Sequence, residues 1–269
     1  MSRPRPSRWR SAAVNIGIVA ALLFAASFLP PDTSLADRQR AGVIKLCVPP
    51  SFPPLVTSDP SAPGYDIELG QALAAELGLR LAVNTVPSIG RDYNPRNWSL
   101  TRAQCDLVGG GVADSVQTRS FMQTLPTQTQ TGWIGISRTG AMPAAGSVVA
   151  VLPGTSGLSR VTLSSWLRAR NYRGKLVRDT KELAQALTSG EASAVITERF
   201  LAAGLELDER QYQSFWLDEP QFEGFPMALG LWKGDQTFKS AVAAAFETIE
   251  RSGRAAQLRE RYGIDAEPQ

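Results

Sequence analysis

Apolar residues after position 40 alternate between strand-like and helix-like spacing. The run Val43–Val48 is short and partly β-branched, and two prolines follow it, so we predict a buried strand that ends in a loop. Residues 64–78 carry apolar positions at helical spacing and end at a glycine, and residues 79–86 form a second strand-like run. Residues 105–108 then lead into the three glycines 109–111. This alternation predicts an open, mainly parallel α/β sheet.

The same alternation restarts in the second half of the chain. Strands are predicted at 148–152, 175–177 and 192–197, with helices between them. Two further extended stretches, 133–137 and 225–232, are expected to connect the halves. Two α/β lobes joined by two crossings therefore account for the pattern.

The positions of the connectors set the predicted lobe boundaries. Lobe 1 comprises residues 37–134 together with residues 225–269, which return to it and end in an amphipathic helix. Lobe 2 comprises residues 135–224.

The N-terminus has the layout of an export signal. A basic, acid-free stretch up to Arg10 is followed by an apolar run, 12–29, and by the small-residue end Ser34-Leu35-Ala36. This order predicts a signal peptide over residues 1–36, cleaved after Ala36, and a periplasmic mature protein. An uncleaved membrane anchor is the alternative, because the run approaches the roughly 20 residues of a membrane span.

Composition narrows the class of function. The 269 residues include 28 Lys and Arg against 25 Asp and Glu, with no His and two Cys. Without residues 1–36, which hold four Arg and one Asp, the balance is 24 to 24, so nothing favours nucleic acid as a partner. Because the chain has no His, a Ser-His-Asp catalytic triad and most types of zinc site are excluded. We expect neither a metal nor a cofactor.

Several segments in order resemble one protein family. They are the first strand with its loop 49–54, the helix start at 64–67, the segment 105–108, the turn 154–156, and the segment 227–235 before the last long helix. Together they resemble the bacterial extracellular solute-binding proteins of family 3, the polar amino acid type. The resemblance implies a type II periplasmic binding protein fold with a ligand cleft between two lobes. It also implies a monomeric, non-enzymatic protein that binds a small molecule and serves an ABC permease in the inner membrane.

The resemblance further implies two groups that hold the ligand's carboxylate. Arg119 matches the arginine that clamps it, although the family usually has Thr three positions earlier, where this chain has Val116 beside Ser115. Ser156, at a helix start, would bind the other side of the carboxylate. The alternatives are a solvated loop arginine and a plain helix cap.

Other cleft residues follow from the same resemblance. Phe52 matches an aromatic residue that lies beside the ligand in the family, and the alternative is that Phe52 is an ordinary core residue. Gly109 and Gly110 would contact the ligand through their backbone groups. Glu198 stands where the family often has an Asp that receives the ligand's ammonium group, but it could equally cap a helix. Pro49 replaces a frequent acidic residue, which disfavours a cationic ligand.

The two cysteines, Cys47 and Cys105, are expected in neighbouring strands. An oxidising compartment raises the chance of a disulfide. Several residues of stagger at about 3.3 Å each would exceed the reach of that bond, so we predict two buried thiols.

Three functions remain open. The first is amino acid or carboxylate binding for transport. A second is a dehydratase on the same fold, resembling cyclohexadienyl dehydratase, with Glu198 as general acid. The third is an accessory role beside a periplasmic quinoprotein dehydrogenase, which Cys47 and the segment 105–108 also resemble.

Overall fold

A computed structural model describes residues 8–26, 31–90, 94–153, 158–217, 219–222 and 224–264. The chain divides into two compact units, residues 1–33 and 34–269. In the first unit, helix α1 spans Arg8–Ala26 and exposes large apolar side chains, of which Trp9 is 88% exposed. Within the described ranges, no helix is both long and apolar enough to cross a membrane.

The second unit alternates strands and helices. The strands are β1 Val43–Val48, β2 Arg80–Thr85, β3 Leu107–Val108, β4 Gln123–Thr131, β5 Trp133–Ser137, β6 Val148–Leu152, β7 Arg173–Leu176, β8 Ala194–Glu198, β9 Gln213–Trp216 and β10 Phe225–Leu231. The helices are α2 Ser34–Ala41, α3 Tyr65–Glu76, α4 Val116–Phe121, α5 Arg160–Ala169, α6 Thr180–Thr188, α7 Arg199–Ala203, α8 Gln236–Arg251 and α9 Arg254–Arg261. Short 3₁₀ turns lie at Pro95–Trp98 and Pro220–Phe222.

The strands form two five-stranded sheets with equivalent topology. The first sheet has the order β2-β1-β3-β10-β4 and the second has β7-β6-β8-β5-β9. In each sheet the three strands at one side pair in parallel, and the fourth strand, β10 or β5, is antiparallel to both its neighbours. Four of the five strands therefore run in the same direction, which confirms the predicted α/β fold with mainly parallel sheets.

The two predicted connectors are themselves strands of the sheets. The first is β5 and the second is β10, each the first strand that the chain forms after it changes sheet. The actual crossings are at Gly132 and between Trp216 and Phe225. Extended apolar sequence predicted the strand conformation but not the hydrogen-bonded partners.

Apolar side chains cover both faces of each sheet. One face of the first sheet packs against α3, α8 and α9, through side chains such as Leu73 and Phe246. The opposite face packs around Trp98 and Met122. Ile134 and Trp133 belong to separate clusters on the two faces of the second sheet. Burial on both faces explains why the strand sequences are nearly continuous apolar runs.

The prediction of two free thiols is wrong, because Cys47 and Cys105 form a disulfide with Cα atoms 5.4 Å apart. The predicted offset between the two cysteines along their neighbouring strands was too large. Strand β3 pairs with the end of β1, where Cys47 lies opposite Val108. Cys105 is not extended but ends a turn, in which its N–H donates to the Thr101 carbonyl at 3.1 Å. The turn brings the two sulfurs together.

Helix α2 is anchored to the first sheet and to α8 by polar contacts. The Arg38 guanidinium pairs with Asp106 at 3.0 Å and with Asp235 at 2.8 Å. Asp235 is the N-cap residue of α8 but makes no side-chain cap bond. The Ser34 hydroxyl accepts the Phe238 N–H at 3.2 Å instead, so α2 supplies the cap of α8.

Candidate functional site

The loops at the carboxyl ends of the parallel strands are the natural binding region of such sheets. In the first sheet these are the loops after β1 and β3, and in the second sheet the residues after β6 and β8. Ser156 belongs to the loop after β6, and it lies outside the described residues. The other five predicted site residues are described.

Phe52 lies in a tight turn of the loop after β1. Its N–H donates to the Val56 carbonyl at 2.8 Å, and the ring is 6% exposed. A Cβ placed on Gly111 would lie 3.4 Å from Phe52 Cζ, so the ring lies against the glycine loop after β3. The structure thus brings Phe52 and the glycines together, and it also places Phe52 in the core cluster of the first sheet.

The glycine loop is held by Asp66, which our sequence reasoning placed only at the start of a helix. Asp66 Oδ2 accepts the Gly110 N–H at 2.6 Å. Burial raises the pKa of Asp66 to about 7, and the Gly110 hydrogen bond opposes part of that rise. A carboxylate at a helix start, together with three consecutive glycines after a strand-like run, was the signal available in the sequence.

Gly110 is required by the local backbone. Its φ is +75°, and an added Cβ would overlap Pro49 Cδ and lie 2.9 Å from Val56 Cγ2. Gly109 is less constrained, with an added Cβ 3.1 Å from Asp66 Oδ2. A side chain at position 110 would therefore displace the proline loop that carries Phe52.

Arg119 lies in the short helix α4, whose N-cap is Ser115. The Ser115 hydroxyl accepts the Thr118 N–H at 3.2 Å, so the cap is four positions before the arginine. Arg119 Nη1 binds Asp114 Oδ1 at 2.8 Å, and that same oxygen accepts the Thr124 hydroxyl at 2.6 Å. The Arg119 side chain is 52% exposed. Its Nε and Nη2 have no partner among the described residues.

Glu198 is at the end of β8 and is fully buried. It caps α7, since Oε2 accepts the N–H groups of Phe200 at 3.0 Å and Leu201 at 3.1 Å. Its Oε1 accepts the hydroxyl of Thr131, the last residue of β4. Burial raises the pKa of Glu198 to about 7, although the three donors favour the carboxylate. The helix-cap interpretation of Glu198 is thus observed.

Helix α7 also contacts the first sheet and the C-terminal residues packed against it. Arg199 donates from Nη1 to the Gln130 carbonyl at 2.8 Å and from Nη2 to the Ile264 carbonyl at 3.0 Å. Phe200 is buried in the same apolar cluster as Phe52. Beside α7 is a cavity of about 740 Å³, lined by the helix, by Pro53 and by Tyr262. The residues after β8 therefore link the two sheets.

No group of three or more His, Cys, Asp or Glu side chains that could hold a metal ion occurs in the described parts of the chain.

Two α/β sheets of equivalent topology joined by two crossings are the two-lobed fold of periplasmic binding proteins. Solved structures share it. An ancestral amino acid-binding protein, a precursor of cyclohexadienyl dehydratase, is 18% identical with a TM-score of 0.63, covering 85% of this chain and 99% of its own. An ancestral arginine-binding protein bound to arginine is 18% identical with a TM-score of 0.63, covering 82% and 98%. An ABC uptake transporter substrate-binding protein from Streptococcus pneumoniae, with bound histidine, is 15% identical with a TM-score of 0.65, covering 88% and 97%.

The sequence places the chain in a family. Residues 44–265 match the bacterial extracellular solute-binding proteins, family 3, and the chain belongs to that family. No curated protein sequence matches it.

Proposed function

We propose that this chain is the substrate-binding protein of an ABC importer and that it binds an amino acid or a similar small carboxylate between its lobes. Family membership supports solute binding, and the solved structures with bound amino acids support this ligand class. The proposed lobes are residues 37–134 with 225–269, and residues 135–224, except that Trp133 and Ile134 belong to β5 of the second sheet.

The observation that supports the proposal is the exposure of the Arg119 guanidinium and the partners it has. Its guanidinium is half exposed and fixed on one side by Asp114, while Nε and Nη2 have no partner in the described parts of the chain. Two parallel donors on a planar group match the two oxygens of a carboxylate, which Lys cannot do with the same geometry. Because the side chain is already oriented, less rotamer entropy is lost on binding.

We expect a neutral amino acid to bind more tightly than a cationic one. Pro49 places no charge at the start of the loop after β1, and its ring lies against Gly110. Phe52, at 6% exposed, offers a ligand little apolar surface in this structure. Closure of the lobes about the two crossings would then follow from differential affinity for the closed state.

Export to the periplasm with removal of the N-terminal segment is part of the proposal. The exposed apolar face of α1 has no stabilising role in a domain surrounded by water. Cleavage after Ala36 would also remove Ser34, which caps α8, so the contacts of α2 favour a mature N-terminus at or before Ser34. N-terminal sequencing of periplasmic protein distinguishes a start at Ser34 from one at Asp37, whereas membrane-bound protein that still carries Met1 or Ser2 would support an anchor.

Calorimetry on the Arg119→Ala variant tests the proposal. The wild-type chain is titrated with L-glutamine, L-histidine and L-arginine, and Arg170→Ala, another half-exposed arginine paired with a carboxylate, is the control. Loss of the charged hydrogen bonds to the ligand should weaken binding by about 2–5 kcal/mol, or one to several orders of magnitude. Unchanged affinity in Arg119→Ala would refute the site assignment. Absence of binding to any small carboxylate would favour the accessory role beside a quinoprotein dehydrogenase.

A dehydratase is the second candidate, because one structural neighbour is a precursor of cyclohexadienyl dehydratase. Turnover of prephenate by the wild-type chain would establish it. No turnover would leave the binding role.

A further inference from the structure

The second sheet ends in an edge strand, β7, whose outer backbone groups face away from the sheet. Strand β7 pairs in parallel with β6, and no strand in the described ranges pairs with its other side. The N–H groups of Arg173 and Val177 donate to the carbonyls of Ser147 and Val151, both at 3.0 Å. Because backbone groups alternate in direction along a strand, those of Gly174 and Leu176 point outward.

A groove of about 590 Å³ lies between β7 and helix α5. Its lining includes Leu163 and Leu167, which are 1% and 3% exposed, and also Val161 and Leu176, which are both 67% exposed. A concave apolar surface beside an unpaired strand is suited to an additional strand, which can bury apolar side chains while it satisfies the outer backbone groups.

This part of the second sheet is strongly basic. Residues 148–178, which contain β6, α5 and β7, hold six Lys or Arg and no Asp or Glu, although the chain after residue 36 is balanced. Two of the six, Arg170 and Lys175, pair with acidic residues from outside the segment. Arg168 donates to the Ser165 hydroxyl at 3.3 Å and Arg173 to the Gly146 carbonyl at 3.1 Å, and these neutral oxygens do not compensate their charges.

We propose that an extended, acidic segment of a partner protein binds here by adding to β7 as a further strand of the second sheet. Alternate apolar side chains of that segment enter the groove beside Leu167 and Val161, and its carboxylates face Arg160 and Arg168, which also line the groove. Backbone hydrogen bonds supply affinity, and charge complementarity selects the partner. The inference is independent of the proposed amino acid site, because none of these residues belongs to that site.

The charge and the shape of the surface distinguish this partner from others. A second copy of the chain would bring the same basic edge against this one, and like charges oppose that pairing. A membrane surface or a nucleic acid could neutralise the arginines, but neither offers a peptide backbone to the outer N–H and carbonyl groups of Gly174 and Leu176.

Binding is measured by fluorescence anisotropy of a labelled peptide in which Glu and Val alternate, titrated with the full-length chain. A length of about eight residues, at about 3.3 Å each, covers β7 and both its ends. We expect this peptide to bind and a Lys-Val peptide of the same length not to bind. N-methylation of the alternate residues that face β7 should weaken binding at least about tenfold, because the backbone donors are lost.

Two pairs of variants test the two parts of the surface. Gly174→Pro removes an outward N–H without removing a bond to β6, and it should weaken binding about tenfold. Gly174→Ala is its control, since an added Cβ would lie 3.4 Å from Leu167 Cδ1, an ordinary contact. Arg168→Glu should weaken binding about threefold to tenfold. Its control is Arg251→Glu, at an exposed arginine in the last turn of α8 that also donates to a neutral oxygen.

Hydrogen exchange followed by mass spectrometry supplies a second, local readout. Addition of a strand should slow exchange at the Gly174 and Leu176 amides about tenfold or more in the presence of the Glu-Val peptide. If circular dichroism shows that Gly174→Pro does not fold, the N-methylated peptide and Arg168→Glu provide the test in its place.

Four results would overturn the proposal. They are no binding of the Glu-Val peptide at about 1 mM, equal binding of the N-methylated peptide, slower exchange of β7 in the concentrated chain alone, and slower exchange with phosphatidylglycerol vesicles but not with the peptide. The second result would indicate electrostatic attraction without strand addition, the third a second copy as the occupant, and the fourth a membrane. None of them bears on amino acid binding, which the Arg119→Ala calorimetry tests separately.

Discussion

Loss of Ser34 should destabilise the protein measurably, because this residue supplies the cap that α8 lacks. The Asp235 carboxylate is engaged by Arg38 and Arg102 and makes no cap bond to the helix. The Ser34 hydroxyl accepts the Phe238 N–H at 3.2 Å and lies 3.0 Å from the Thr237 hydroxyl. An N-cap substitution by Ala costs about 0.5–2 kcal/mol.

These contacts set the expected loss in the free energy of unfolding. Ser34→Ala should cost about 1–2 kcal/mol, which lowers the melting temperature by about 2–8 °C for a domain of this size. Truncation to residues 37–269 also removes Leu35, which packs against the core of the first sheet, and the Ser34 carbonyl that Arg38 binds at 2.9 Å. We expect the truncation to cost about 2–4 kcal/mol relative to residues 34–269.

Urea unfolding followed by tryptophan fluorescence provides the measurement. Four proteins are compared: residues 34–269, the same fragment with Ser34→Ala, residues 37–269, and the fragment with Ser164→Ala. Ser164 is exposed on α5, and its substitution should change the free energy of unfolding by less than about 0.5 kcal/mol. Equal midpoints for Ser34→Ala and its parent would refute the capping argument and restore a start at Asp37 as structurally neutral.

The remaining predictions concern the disulfide, the glycine loop and pH. Replacing Cys47 and Cys105 by Ser should reduce the free energy of unfolding by about 4 kcal/mol, because the bond closes a loop with a sequence separation of 58, and denaturant midpoints of the two proteins test this. Gly110→Ala should destabilise more than Gly78→Ala, since both positions have positive φ but only the first lacks room for a Cβ; equal losses of melting temperature would contradict the steric argument. Burial raises the pKa of Glu198 from 4.5 to about 7, so the folded protein retains this proton where the unfolded chain releases it. Stability should therefore fall as pH rises through that window, and Glu198→Gln should reduce the slope, leaving the part that comes from Asp66, whose pKa burial also raises to about 7.

Sequence alone determined the elements and their alternation. Val43–Val48 and the strand at Val148–Leu152 were predicted with their observed bounds, because a short apolar run buried on both faces leaves a local signal. The helix predicted from residue 64 was observed as Tyr65–Glu76, since its apolar spacing and terminal glycine are also local. The order of the motifs was sufficient to indicate the family, which the match over residues 44–265 confirms.

Tertiary structure decided what depends on contacts between distant residues. The disulfide formed because a turn before β3 places Cys105 beside Cys47, and strand spacing in the sequence contains no information on that turn. The cap bonds of Glu198 Oε2 to Phe200 and Leu201 are local, but its Oε1 is engaged because β4 ends beside β8 and presents Thr131, 67 residues away. A residue type at a motif position indicates which bonds a side chain can make. The fold determines which of those bonds its neighbours have already taken, and the remaining ones are available to a ligand.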